Sequence, residues 1–262
     1  MTAVPDLLQR LVAEARAEVE ARRPAVSTAD LDRLASARAP ALDLRAALRG
    51  DRLTVIAEMK ARTPLMGRLS DDYSPARLAG VYAAAGAAAL SVLCQETSFG
   101  GRPEHLSEAR EAAATLPIMR KDFTVDERQV LEARAHGADA VLLIVAALND
   151  ARLRRLLALT RSLGMEALVE IHTEAEAEAA LEAGAAVVGV NHRDLTTFQV
   201  DVGLTERLRP RVPADIVFVA ESGIHTAADA RRMRQAGADA ILVGEALMRA
   251  PDPAAKLREL SV

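Results

Sequence analysis

The chain has 262 residues, half of them hydrophobic, and its 33 Lys and Arg are dispersed among 37 Asp and Glu for a formal net charge of −4. That balance leaves no basic footprint for nucleic acid, and no apolar run approaches the roughly 20 residues of a membrane helix, since Asp139 and Asn149-Asp150 bracket the longest one. The single cysteine, Cys94, has no partner for an internal disulfide, and Met1 to Pro5 lacks a basic or apolar leader, so the expected location is the cytoplasm.

In chain order, residues 6–22 place Leu7, Leu8, Leu11, Val12, Ala15 and Val19 on one helical stripe that Pro24 ends. Ser27-Thr28-Ala29-Asp30 has capping-box spacing and opens a short helix through about Ala37. Pro40 to Gly50 leads onward, so residues 1–50 read as a helical extension. Strands follow at 53–59, 88–93, 117–119, 139–144, 166–170, 186–190, 215–220 and 239–243. Helices fall at 75–85, 104–114, 126–136, 149–163, 173–183, 203–209, 225–236 and 253–260.

Four of these helices close on one phrase: Ala85-Gly86-Ala87, His136-Gly137-Ala138, Ala183-Gly184-Ala185 and Ala236-Gly237-Ala238. Glycine suits the left-handed residue just past a helix end. The glycines lie 51, 47 and 53 positions apart, about two βα units each time. The strands after them, such as Ala140-Val141-Leu142-Leu143-Ile144, are continuously apolar, as parallel strands covered on both faces must be. The expected fold is one α/β domain over residues 1–262, a (β/α)8 TIM barrel with an N-terminal helical extension.

Active sites of such barrels sit at the carboxyl ends of the strands, and six ends here carry charge. They are Glu58-Met59-Lys60, Arg120-Lys121-Asp122-Phe123, Glu170-Ile171-His172, Asn191-His192-Arg193-Asp194, Glu221-Ser222-Gly223 and Gly244-Glu245. Glu58 and Lys60 are alternate residues, hence on one side, pointing into the barrel mouth. Two lysines and three glutamates around one cavity suit an anionic substrate and proton transfer, with a lysine acid of lowered pKa and a glutamate base of raised pKa. Lys121 is not expected to pair with Asp122, because adjacent strand residues face opposite ways.

A phosphate grip is expected in the loops after strands 7 and 8, with backbone N–H donors at Gly223, Gly244 and Glu245. No metal is expected, since no His/Cys cluster has ligand spacing. His105, His136 and His225 fall on predicted helices in packing or surface roles, and His172 receives none. With no Trp and 2% aromatics, Tyr73, Tyr82, Phe99, Phe123, Phe198 and Phe218 stand out.

These motifs, with Ile56-Ala57-Glu58-Met59-Lys60, Leu168-Val169-Glu170-Ile171-His172-Thr173, Arg193-Asp194-Leu195 and Gly244-Glu245-Ala246-Leu247-Met248, resemble the indole-3-glycerol phosphate synthase family over nearly the whole chain. The resemblance implies a cofactor-free, decarboxylating ring closure of a phosphorylated small molecule, an anthranilate joined to deoxyribulose 5-phosphate. It implies Lys121 as general acid, Glu170 as the acid–base partner in dehydration, and Lys60 at the substrate carboxylate. Glu58, Asn191 and Glu221 would position these groups, with Ser222 beside them and Arg193 near the carboxylate. Phe99 and Phe123 either enclose the aromatic ring or simply pack in the core.

Three places depart from the family pattern. Thr63-Pro64-Leu65 replaces Ser-Pro-Ser, with only Thr63 keeping a hydroxyl for phosphate, and Cys94-Gln95 and Asn191-His192 alter what is expected to be the active face. A paralogue acting on a modified anthranilate or another aryl ribulose phosphate, a phosphosugar isomerase, or a non-catalytic phosphate-binding barrel are the other readings. An isomerase has no call for two lysines, and a binding module no need of Lys121 with Glu170. The expected assembly is a monomer or weak homo-oligomer.

Overall fold

The computed structural model describes residues 7–64, 67–70, 72–194, 197 and 199–262; Leu65, Leu195 and Phe198 lie outside them. Helices α1 (Leu7–Arg22), α2 (Thr28–Ser36) and α3 (Leu44–Leu48) precede strand β1 (Thr54–Met59). Next come α4 (Pro75–Ala84), β2 (Ala89–Leu93), α5 (Glu96–Phe99), α6 (Glu104–Ala112), β3 (Ile118–Lys121), α7 (Glu127–Ala135) and β4 (Ala140–Ile144). They lead to α8 (Asp150–Ser162), β5 (Glu166–Ile171), α9 (Glu174–Glu182), β6 (Val187–Asn191), α10 (Leu204–Leu208), β7 (Val217–Glu221) and α11 (Ala227–Gln235). β8 (Ala240–Val243), α12 (Glu245–Met248) and α13 (Pro253–Leu260) finish the chain. A two-residue hairpin, Arg62–Thr63 against Gly67–Arg68, follows β1.

All eight strands pair in parallel with their sequence neighbours, and β8 pairs with β1 to close the barrel. This is the expected (β/α)8 architecture. Gly86, Gly137, Gly184 and Gly237 have φ of 91°, 87°, 87° and 90°, so the repeated phrase marks left-handed helix exits. Strand 3 runs on to Lys121 rather than stopping at 119. The predicted helix 225–236 starts only at Ala227, which leaves His225 in the preceding loop.

The period of two sorts each strand into two layers. Ile56, Met119, Leu142, Leu168, Val187, Val219 and Leu242 fill the barrel interior, while Val55, Ala57, Val141, Val169, Val188 and Ile241 pack outward with the helices. Continuous apolar runs are therefore two alternating faces, both dry. Leu44 and Leu48 of α3 belong to the interior cluster, as do Leu11 and Ala15 of α1. Ser27 caps α2 by accepting from the Asp30 N–H at 3.1 Å. Among the described residues no helix is long and apolar enough to cross a membrane.

Arg120, completely buried on the outer face of β3, donates to Asp122 at 2.7 Å and to Glu132 at 3.2 Å. Arg22 of α1 and Arg128 of α7 also reach Glu132. A buried ion pair needs several partners to offset its desolvation, and this network ties the extension to the wall behind Lys121. The Arg120 guanidinium thus points away from the mouth, whereas Asp122, which it binds, is still among the residues lining the cavity there.

Candidate active site

The last inward position of each polar strand forms a ring at the carboxyl end of the barrel. Glu58 comes from β1, Lys121 from β3, Glu170 from β5, Asn191 from β6 and Glu221 from β7, with Lys60 one step beyond β1. Every site residue expected from the sequence except Thr63 lines this one cavity: Glu58, Lys60, Phe99, Lys121, Phe123, Glu170, Asn191, Arg193, Glu221, Ser222, Gly223, Gly244 and Glu245. Thr63 stands in the short hairpin, away from that lining.

Lys121 Nζ donates to Glu170 Oε2 at 3.0 Å and to Glu221 Oε2 at 3.1 Å. Lys60 Nζ donates to Glu58 Oε1 at 2.6 Å. Asn191 Nδ2 donates to Glu170 Oε1 at 3.1 Å, and its Oδ1 accepts from Ser222 Oγ at 2.8 Å. As the two-residue alternation requires, Lys121 makes no pair with Asp122.

Electrostatics divide the two glutamates. Burial would raise the Glu170 carboxyl, but the Lys121 ammonium, the adjacent His172 and the hydrogen bond from Asn191 outweigh it and hold Glu170 below the usual carboxylate range. Burial, with the Glu170 and Glu58 charges, pushes Glu221 up to about 7 in spite of Lys121. Burial also acts to lower Lys121, yet the carboxylates of Glu170, Glu221 and Glu58 win and hold it above the ordinary lysine range. The expectation of a lysine with lowered pKa is corrected here: one cation among three carboxylates keeps its proton.

Ser222 has φ of 69°, the one positive value at a described residue other than glycine, and Gly223 follows at 72°. Such backbone persists at a serine only where its surroundings fix it. His192 does so, with Nδ1 at 2.8 Å from the Ser222 carbonyl and Nε2 at 2.7 Å from Thr205 Oγ1. Gly244 has ordinary φ; its reason is space, because a Cβ there would fall 2.9 Å from Lys60 Nζ and still closer to Glu58 Oε1. Arg193 lies 4.0 Å from Glu245 at the rim.

The departures expected to alter the active face do not touch the cavity. Cys94 is buried in the outer core, and Gln95 donates to Glu14 and Glu18 of α1 at 3.1 and 2.9 Å. His192 buttresses the Ser222 turn from behind. Phe99 and Phe123 line the cavity with ring centroids 6.3 Å apart while also packing with the interior cluster.

Sequence reasoning missed three features. Leu142, Ile144 and Leu242 form an apolar floor, indistinguishable in sequence from ordinary core. His225 lines the cavity from its loop. Gly189 makes room for Glu221, since a Cβ on it would overlap Glu221 Oε1; its signal is a glycine interrupting an apolar strand.

Residues 8–260 match the family model described as Indole-3-glycerol phosphate synthase. Indole-3-glycerol phosphate synthase 2 of Streptomyces coelicolor is 58% identical over 254 residues, 97% of this chain and 98% of the relative. Indole-3-glycerol phosphate synthase of Dehalococcoides mccartyi is 46% identical over 257 residues, 97% and 99%. Among solved structures, a thiamine phosphate pyrophosphorylase from Pyrococcus furiosus superposes with TM-score 0.63 at 19% identity, covering 83% of this chain and 96% of its own. An N-acetylmannosamine-6-phosphate 2-epimerase from Clostridium perfringens does so with TM-score 0.62 at 20% identity, covering 80% and 93%. These two share the barrel alone. Matched end to end and carrying its charged ring in one cavity, the chain belongs to the indole-3-glycerol phosphate synthase family.

Proposed function

We propose that this protein converts 1-(2-carboxyphenylamino)-1-deoxyribulose 5-phosphate to indole-3-glycerol phosphate, a decarboxylating carbon–carbon lyase step of tryptophan biosynthesis. The observation that carries the reading is the Lys121 ammonium held between Glu170 and Glu221 in the cavity that also holds the Lys60–Glu58 pair.

Ring closure sacrifices aromaticity while the carbonyl oxygen becomes an alkoxide. An alkoxide is a stronger base than any amine, so Lys121 gives up its proton at that moment although it holds it firmly beforehand. Glu221, titrating near neutrality, is placed to share the proton deficit. A positioned acid contributes about 10²- to 10⁴-fold, and a clamped near-attack geometry ~7–11 kcal/mol.

Glu170 acts as the acid–base partner in dehydration, with Asn191 orienting it. Lys60 and Arg193 hold the substrate carboxylate, and Glu58 orients Lys60. Phe99 and Phe123 enclose the aromatic ring over the floor of Leu142, Ile144 and Leu242. Phosphate lies on the backbone N–H groups of Gly223, Gly244 and Glu245 beside Ser222. The departures at Cys94, Gln95 and His192 face away from the cavity, which favours the unsubstituted anthranilate adduct over a modified one.

Purified protein given the adduct is expected to generate indole fluorescence. Lys121→Ala is expected to abolish turnover while ligand binding survives; unchanged turnover in that variant defeats the assignment.

A further inference from the structure

Close beside Glu170 sits a partly buried imidazole with no place in that scheme. His172 Nε2 is shielded from solvent, has no hydrogen-bond partner and lies 3.6 Å from Glu170 Oε1. Its Nδ1 lies 3.3 Å from Glu176 Oε2, which also accepts the His172 backbone N–H at 2.8 Å. Glu176 stands in the first turn of α9 with its side chain 19% exposed, against 1% for Glu170. A carboxylate, an imidazole and a second carboxylate therefore step from the sealed ring to the surface.

The proposed reaction needs such a path. In ring closure the aromatic carbon bonds to the carbonyl carbon, the C=O pair moves to oxygen, and that oxygen takes one proton. The bond to the carboxylate then breaks, its electron pair returns to the ring, and neutral carbon dioxide leaves. In dehydration the C–O bond breaks, the departing hydroxyl takes a second proton, and the carbon beside nitrogen releases one. Two protons are consumed and one returned, so each turnover draws one proton from solvent. Substrate seated in the mouth covers the direct route to Lys121 and Glu170.

We infer that His172 and Glu176 are the proton supply line of the Lys121–Glu170 couple, an inference that rests on the proposed reaction. As imidazolium, His172 closes its 3.6 Å gap and gives its Nε2 proton to Glu170 Oε1; a half-turn of the carboxyl about Cγ–Cδ then carries that O–H to the side where Glu170 meets Lys121 at 3.0 Å, and neutral Lys121 takes it. A half-turn of the neutral ring about Cβ–Cγ presents the Nδ1 proton inward and the bare Nε2 to Glu176 and water, where it is protonated again. The charged groups facing His172 are Glu170 on β5, Glu176 on α9 and Glu221 on β7. Burial disfavours the imidazolium, but these carboxylates outweigh it and keep His172 above the ordinary histidine range, ready to donate. His172 is thus a positioning and relay residue that need not touch substrate.

The test compares the first turnover, measured with enzyme in excess over the adduct, with steady-state turnover in wild type, His172→Gln and Glu176→Gln. The expected result for His172→Gln is a first turnover within about twofold of wild type, since Lys121 enters loaded, and a steady-state rate lower by about tenfold or more that added imidazole restores. Glu176→Gln, which keeps the ring, is expected to show the same split in weaker form. Equal slowing of both phases, or slowing of neither, overturns the relay. A wild-type protein that makes no product from the adduct overturns the proposed reaction instead.

Discussion

The carboxylate of Glu221 occupies the space in which a side chain on Gly189 would begin: a Cβ built there overlaps Glu221 Oε1 and Leu168 Cδ2. Neighbouring strands β6 and β7 thus interlock a missing side chain with a long acidic one. Gly189→Ala is expected to force Glu221 off Lys121, destabilising the fold by about 1–3 kcal/mol as overpacking does and lowering kcat. Thermal unfolding together with steady-state kinetics checks this, and a variant with wild-type Tm and kcat contradicts it.

Glu221 also predicts a pH dependence of stability. Its carboxyl is raised from 4.5 to about 7 on folding, so its contribution is fully present below pH 4.5 and is lost as pH rises through about 7. Glu221→Gln removes the ionisation, and its stability relative to wild type is expected to grow between pH 5 and pH 8, as read by denaturant unfolding at several pH values. A constant difference across that window speaks against the raised carboxyl.

Gln95 joins α1 to the segment that carries Phe99. Its amide nitrogen donates to Glu14 and Glu18, its oxygen accepts from the Ser98 and Phe99 N–H groups, and Glu18 further accepts from the N–H groups of Glu96 and Thr97. Gln95→Glu would set a third carboxylate against two. The expected cost is about 1.5–3 kcal/mol for a hydrogen bond to a charged group, with a raised KM as Phe99 shifts. Calorimetry and kinetics test both halves.

His192 predicts a more selective defect. Its imidazole holds the Ser222 carbonyl while Ser222 keeps its left-handed backbone, so His192→Leu is expected to free that turn and weaken binding of inorganic phosphate as a competitive inhibitor. Little change in the inhibition constant would mean that the turn is fixed by other contacts.

The barrel was legible because its strands are apolar on both faces and its helix exits repeat a glycine whose backbone is left-handed. The ring was legible because Glu58, Lys121, Glu170, Asn191 and Glu221 end otherwise dry strands. What escaped depended on direction rather than residue type. Strand alternation, which keeps Lys121 off Asp122, turns Arg120 toward α7 and Lys121 toward the cavity, but the buried partners that Arg120 finds in Glu132 and α1 lie too far along the chain to be read. Gln95 and His192 read as changes to the active face because, past a strand end, alternation no longer dictates where a side chain points. The lysine pKa was misjudged because the sign of the shift depends on three carboxylates gathered from distant strands.

The division of each strand into inward and outward positions gives this molecule separable duties. Packing resides in the outward valines, leucines and alanines beneath the helices and in the inward apolar layer below the mouth, whereas the charged groups are confined to a few inward tips. A lineage bearing such a scaffold can therefore exchange one tip at a time and explore new chemistry while its architecture stays intact.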